Sequence, residues 1–434
     1  MRSRLLSILL LLTCLTGSML AAAGQVAPRA SQGVPDMSAI LTLEQALARV
    51  FERNPELGVS ELEIQAASAR IEQAGRKPNP EFTAEAENLT TPWVGPGVFR
   101  YSENSLQFSQ RLELGGKREL RVQAAEKDFA VASVQLEVKK RGMIFEASRA
   151  FTDVLAEQER FANQQALTRL AQQSHATVTV RVAAGKVSPV EQTRAAVARA
   201  AAQLEEDKRL RALLAAKERL AALWGGTYQD IQAVQGTFAI PDAASGDVDL
   251  CMENNPDLKL AAAAVNSRDA ALALELGLRK PDLTVSAGFR YLNLESAPVW
   301  VAGISIPLPI RDKRQGAIAE ARIRLDQSRL AEQALARRLR AGVAQARQDR
   351  EIALAEVKSL MESTLPGARE AAEAVEEGYR LGKFDYLNVL DAQRTYAELQ
   401  GRFIEAVVSG LHATLEIQRL ARCDAPEAGL YRKK

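Results

Sequence analysis

From Lys117 to Ala183 the chain has no proline and one glycine, Gly142, and is built mainly from the strong helix formers Ala, Leu, Glu, Gln, Arg and Lys,. Roughly 65 residues at 1.5 Å each make a helix about 100 Å long, several times the diameter of a small domain. Such a helix cannot cover its own apolar stripe and needs another helix alongside. The stretch 189–223 supplies one by folding back from a turn at Gly185 and Lys186, with Ser188 and Pro189 opening the return,. This predicts a predominantly α fold of long helical hairpins with a small β part. Few aromatics (5%) and many charges (25%) fit long helices better than one large globular core,.

The same turn recurs at Tyr379 to Asp391, around Gly382, roughly 200 residues on,. Other echoes keep the order: Asn255-Pro256 repeats Asn54-Pro55, and Arg279-Lys280-Pro281 repeats Arg76-Lys77-Pro78. The chain is therefore read as an internal two-fold repeat. In the first copy, a helix from Leu43 carries a broad apolar face of Leu43, Ala46, Val50, Leu57, Leu62, Ile64 and Ala69, interrupted at Asn54-Pro55,. In the second, helix runs from Gln315 to the Gly382 turn with an interruption at Leu365-Pro366,. A last helix, Tyr386 to Ala421, places Tyr396, Leu399, Phe403 and Val407 on one seam.

Between the helices the period changes to two. Phe82, Ala84 and Ala86 alternate with Glu81, Thr83, Glu85 and Glu87, and a loop at 91–97 leads to a second strand around 105–109,. Later, Leu283, Val285, Ala287, Phe289 and Tyr291 alternate with Thr284, Ser286, Gly288 and Arg290. The stretch 299–308 puts Trp300, Ala302, Ile304 and Ile306 on one face. Strands with one greasy and one polar face fit a membrane-spanning barrel, or else a small soluble sheet packed on helices. Glu81, Glu85, Glu87, Arg111 and Arg290 on the polar faces suit a wet lumen better than a core. Four strands cannot close a barrel in lipid, so several copies must share one; three would supply about twelve strands.

The N-terminus reads as a signal peptide, residues 1–23: Arg2 and Arg4, an apolar run at 5–12, and Ala21 to Ala23 before the cut,. Leu12-Thr13-Cys14 is a poor lipoprotein site because of Thr13. Beyond the leader no apolar run is long enough for a transmembrane helix. Formal charge is +2 before the leader is removed, which gives no reason to expect nucleic acid as a partner,. Cys251 and Cys423 could pair in an oxidising compartment or stay free,. Two histidines, His175 and His412, and no phosphate loop, nucleophile elbow or CxxC argue against an enzyme, a cofactor or a tight metal site,.

The duplicated strand-and-helix plan resembles the TolC-like outer-membrane factor family across residues 41–421. Pro78 to Phe82, Glu85 to Asn88 and Gln110 to Arg118 are similar to its cobalt–zinc–cadmium-type heavy-metal efflux branch. The resemblance implies a homotrimer with a shared β-barrel in outer-membrane lipid and an α-barrel in the periplasm. It implies two partners, a periplasmic adaptor and an inner-membrane proton-driven exchanger, and a passive duct for heavy-metal cations. A drug-efflux or type I secretion channel is the alternative, and a soluble periplasmic coiled-coil scaffold is the reading from another class. It further implies adaptor-docking tips at Arg181, Gly185, Lys186, Val187, Ser188, Arg380, Leu381, Gly382 and Lys383. A periplasmic gate is implied at Glu191, Tyr379, Asn388 and Asp391, where Asn388 and Phe384 depart from the well-known drug-export member. Lumen-facing strand residues are Glu81, Glu85, Glu87 and Arg290. The expected divisions are a lead-in at 24–40, a first repeat at 41–226, a linker at 227–246, a second repeat at 247–421 and a tail at 422–434.

Overall fold

The computed structural model describes residues 40–89, 101–241 and 254–421. The leader with Cys14, most of the lead-in, the 91–97 loop, part of the linker, Cys251, Cys423 and the tail lie outside the described residues. The elements are β1 (Ile40–Leu41), α1 (Leu43–Arg53), α2 (Pro55–Ala74), β2 (Glu81–Glu87), β3 (Glu103–Leu112), α3 (Lys117–Ala183) and α4 (Pro189–Ala222). They continue with β4 (Ala233–Val234), α5 (Pro256–Leu278), β5 (Leu283–Leu292), β6 (Ala297–Ser305), α6 (Gln315–Ser359), α7 (Leu365–Arg380) and α8 (Tyr386–Ala421).

The helix starts are chemically defined. Thr42 and Gln45 cap α1 reciprocally, each side chain bonding the other's backbone N–H,. Asn54 and Asn255 then do one job in two places. Each accepts a bond at its side-chain oxygen from the second residue of the helix it opens, Glu56 at 2.8 Å and Asp257 at 2.7 Å,. Each also donates its amide to a carbonyl at the far end of a returning helix, Leu223 at 2.8 Å and Leu420 at 2.6 Å. The Asn-Pro signal therefore ties a helix start to a helix end, besides starting a helix.

The helix α3 spans 67 residues and packs against α2, α4, α5 and α8. Toward the sheet the lateral order is α2–α3–α5–α6; toward the turns it is α4–α3–α8–α7. Where the two sets meet, Val50, Phe151, Val154, Leu220 and Trp224 form the largest buried cluster. The segment joining the halves is fastened across it. Gln158 bonds both backbone groups of Val234, Arg350 donates to the Pro241 carbonyl at 2.7 Å, and Ile240 sits against Gly410. Within the expected linker, Val234, Ile240 and Pro241 are thus fastened to the helices.

The four long strands form one antiparallel sheet in the order β2-β3-β5-β6, with Ser105 opposite Arg290 at its centre. Gly288 sits where a Cβ would collide with the Leu106 backbone, so that pairing requires glycine,. At the sheet's base Lys117, nearly buried, is held by Asp282 at 2.6 Å.

Some expectations need correction. The second strand begins at Glu103, and the last one ends at Ser305, so Ile306 falls outside it. The interruption expected at Leu365-Pro366 takes the form of a π turn at Leu360–Thr364, immediately before α7, because Pro366 offers no N–H to the preceding turn,. Leu62 and Ala69 are exposed although they share the spacing of the apolar face, whereas Leu43, Ala46, Val50 and Leu57 are buried. The α8 seam is carried mainly by Ile404, Val407, Leu411 and Leu415, with Tyr396, Leu399 and Phe403 half-buried.

Asn255 is fully buried, so Asn255→Ala should lower stability by about 2 kcal/mol, through the lost cap and an orphaned carbonyl,. Asn255→Asp, which keeps the cap acceptor but buries a carboxylate against the Leu420 carbonyl, should lose at least as much,. Thermal unfolding in detergent of the two variants measures the difference.

Candidate functional site

Two regions carry the residues singled out by sequence: the sheet and the paired turns. In the sheet, strand alternation puts Glu87, Glu103, Ser105 and Arg290 on one face. Arg290 bonds Glu103 at 2.8 Å and Ser105 at 3.0 Å, and lies 3.5 Å from Glu87. Glu81 and Glu85 are exposed on the same face. The opposite face is apolar and open: Phe82, Leu106, Phe108, Val285, Phe289, Trp300 and Ile304 are all exposed, Trp300 at 89%. A sheet in water would cover such a face; lipid leaves it as it is. Glu103, the nearer partner of Arg290, is absent from the sequence reading because only the strand register brings them together.

At the other end, α3 and α7 finish with one motif. Gly185 and Gly382 adopt left-handed φ of 66° and 76°, which a glycine enters without a Cβ penalty,. Lys186 N–H bonds the Arg181 carbonyl at 2.9 Å, and Lys383 N–H bonds that of Gly378 at 2.8 Å,. Ser188 caps α4 by accepting from Val190 N–H, with Pro189 in the first turn. Lys186, Ser188, Leu381 and Lys383 are exposed around the two turns and Val187 is half-buried. Arg380 is exposed and pairs with Glu376 at 2.9 Å.

The two turns are clasped together. Arg181, on α3, donates to the backbone carbonyl of Tyr379 and lies 4.4 Å from the centre of its ring,. Tyr379 in turn donates its hydroxyl to Glu191 on α4 at 3.1 Å. Its ring is 5.7 Å from that of Tyr386, and Val178, Ala195 and Val389 complete a small apolar cluster. Burial, and then the bond to Glu191, push the Tyr379 phenol up to about 12; burial and Glu191 also raise Tyr386,. Asn388 and Asp391 are exposed and stand outside this cluster. The structure thus joins Glu191 and Tyr379, separates the other two gate candidates from them, and draws Arg181 in. Phe384 packs on Gly378, and the cation beside Tyr379 comes from the other hairpin, as Arg181. Spacing within one hairpin could not have shown a contact made between hairpins.

The chain belongs to the outer membrane efflux protein family, whose model matches residues 46–226 and 248–421. Its place is the outer membrane. It is 31% identical over 384 residues to the cobalt-zinc-cadmium resistance protein of Cupriavidus metallidurans, covering 88% of this chain and 90% of that one. Identity to the nickel-cobalt-cadmium resistance protein of Alcaligenes xylosoxydans xylosoxydans is 25%, over 66% of each chain. Among solved structures, a membrane protein from Pseudomonas aeruginosa superposes with a TM-score of 0.76 at 21% identity, over 87% of this chain and 92% of that one. The channel CusC gives 0.74 at 16% identity, over 91% and 95%. Those likenesses bear on the fold, and the fold is that of an outer-membrane channel.

The clasp gives a signed pH expectation. A phenol held neutral by its surroundings adds stability below its ordinary value of 10.0 that is lost as pH rises through about 12,. Ultraviolet titration should show a tyrosine ionising near 12 that is missing in Tyr379→Phe. Glu191→Gln should move that midpoint down, though not the whole way, since burial is the larger cause.

Proposed function

We propose that this protein is the outer-membrane exit duct of a tripartite efflux system, conducting heavy-metal cations passively from periplasm to exterior. The observation that carries the reading is the two-faced sheet at one end of a 67-residue helix. Its exposed apolar face suits lipid and its charged face, with Glu81, Glu85, Glu87 and Arg290, suits a wet lumen. Both outer edges of the sheet, β2 and β6, lack a further strand among the described residues, so in lipid other copies must complete it,. Three copies of a duplicated chain, sharing a barrel of about twelve strands, meet that requirement. The helices then form a periplasmic α-barrel.

On this reading the paired turns are the periplasmic mouth. Gly185, Lys186, Val187 and Ser188, with Arg380, Leu381, Gly382 and Lys383, present backbone turns and exposed side chains to a periplasmic adaptor, itself fed by an inner-membrane proton-driven exchanger. Arg181, Tyr379 and Glu191 hold the two hairpins together and keep the mouth narrow. Asp391, exposed on α8, forms with its copies a ring of carboxylates that attracts cations,. Metal cargo is supported by the relatives' names, and selection among metals falls to the exchanger, since among the described residues no group of three or more His, Cys, Asp or Glu could hold an ion.

Deleting the gene should sensitise cells to metals such as cobalt, zinc and cadmium more than to organic drugs; drug sensitivity alone would overturn the cargo assignment. In planar bilayers, Arg181→Ala combined with Tyr379→Phe should raise single-channel conductance, because both bonds across the mouth are removed. Gly382→Trp, strained at positive φ, should abolish metal resistance while the assembled protein is still recovered from the membrane,.

A further inference from the structure

Arg76-Lys77-Pro78 and its echo Arg279-Lys280-Pro281 fall at matching points of the fold. Each stands where a helix, α2 or α5, gives way to a strand, β2 or β5. The two reverse crossings are basic as well: Lys117 and Arg118 follow β3, and Arg311, Lys313 and Arg314 follow β6. The strand register puts all four junctions at one end of the sheet, so the cations collect at one level of the molecule.

Ion pairing sorts these cations. Arg76 is bonded to Glu72, Lys117 to Asp282, Arg118 to Glu119 at 3.0 Å and Arg314 to Glu275 at 2.7 Å. Lys77, Arg279, Lys280, Arg311 and Lys313 are exposed and make no ion pair among the described residues. Nearby carboxylates are already engaged: Glu113 holds Arg121, and Asp312 accepts the Arg314 N–H at 2.8 Å. Glu81 and Arg111 line one recess on the charged face of the sheet. The junction level is left with surplus positive charge. At the other strand ends the sign reverses, with Glu87, Glu103 and Glu295 around Arg290 among the described residues.

Beside the surplus charge, apolar side chains run on past the last strand. Ile306, Leu308 and Ile310 are 48%, 74% and 76% exposed and alternate with Pro307 and Pro309. Proline has no N–H for a ladder, so strand pairing stops there and does not cover them. The strand β6 has 9 residues. At about 3.3 Å each and a tilt of about 40° it rises about 23 Å, close to the ~25 Å apolar band of an outer-membrane barrel. Ile306 to Ile310 thus stand where hydrocarbon gives way to headgroups, and Arg311 and Lys313 follow at once. Exposed apolar residues beside unpaired cations match a surface that is apolar within and negative at its rim.

We propose that this level binds anionic phospholipid of the periplasmic leaflet. Ile306, Leu308 and Ile310 enter the acyl boundary, and Lys77, Arg279, Lys280, Arg311 and Lys313 bind the phosphates of headgroups with net negative charge, such as phosphatidylglycerol. A zwitterionic headgroup binds less well, because its own amine offsets the phosphate. The inference rests on the reading of the sheet as a barrel segment with its helices in the periplasm, and adds which lipid gathers at their boundary.

The full chain, in mild detergent, is given equal amounts of phosphatidylglycerol and phosphatidylcholine, and the retained lipid is counted by native mass spectrometry. Phosphatidylglycerol should be held roughly tenfold over phosphatidylcholine, and the preference should shrink as salt is raised. Changing Lys77, Arg279, Lys280, Arg311 and Lys313 together to Gln should abolish the preference, whereas Arg111→Gln, on the charged face, should leave it. A bimane on Leu308→Cys, in a Cys251→Ser and Cys423→Ser background, should be quenched by brominated phosphatidylglycerol. Equal retention of the two lipids, an unchanged preference in the five-fold Gln variant, or displacement by inorganic phosphate at the same concentration would overturn the site and leave the duct standing. An unquenched bimane would also overturn it, since another chain would then cover the segment. A protein that stays in solution without detergent and retains no lipid would overturn the duct reading as well.

Discussion

A helix of 67 residues has satisfied backbone bonds and unsatisfied sides, and the rest of this protein answers that condition,. Its side faces are covered by α2 and α4 on one side and α5 and α8 on the other. Propensity alone would let such a helix form without placing it. Placement comes from polar fasteners at three levels: Lys117 with Asp282 below the sheet, Asn54 and Asn255 at the middle, and Arg181 with Tyr379 at the turns. Between them the contacts are mostly small-residue helix packing. Few large clusters are needed, since each helix shares its neighbours' stripes.

The fasteners differ in how tightly they bind. The Asn255 amide is wholly buried and its two bonds are short, so the middle level is permanent. The clasp at the turns has one hydroxyl-to-carboxylate bond, one guanidinium over a ring and few apolar neighbours. It is the level most easily opened.

Much of the fold was legible in the sequence because its signals are local. Proline and glycine punctuate the helices, so Lys117–Ala183 and Tyr386–Ala421 fall where expected. Period two marked the strands, although Asn104, polar on the apolar face, breaks the alternation and hid the start of β3. What could not be read was contact between distant segments: Glu103 with Arg290, Arg181 with Tyr379, and the pinning of Ile240 and Pro241. Leu62 misled for a related reason. An apolar spacing shows that a face is to be covered, and does not say whether the same chain covers it.

The π turn at Leu360–Thr364 has a geometric consequence. Between Leu330 and Gly367 the chain has one residue more than about ten whole α-helical turns need, and that surplus would rotate Gly367 by about 100° away from Leu330. A π turn takes up a single residue within the helix. The wider turn therefore acts as a phase corrector. It keeps the exposed positions Leu330 on α6 and Gly367 on α7 in one line along the helix.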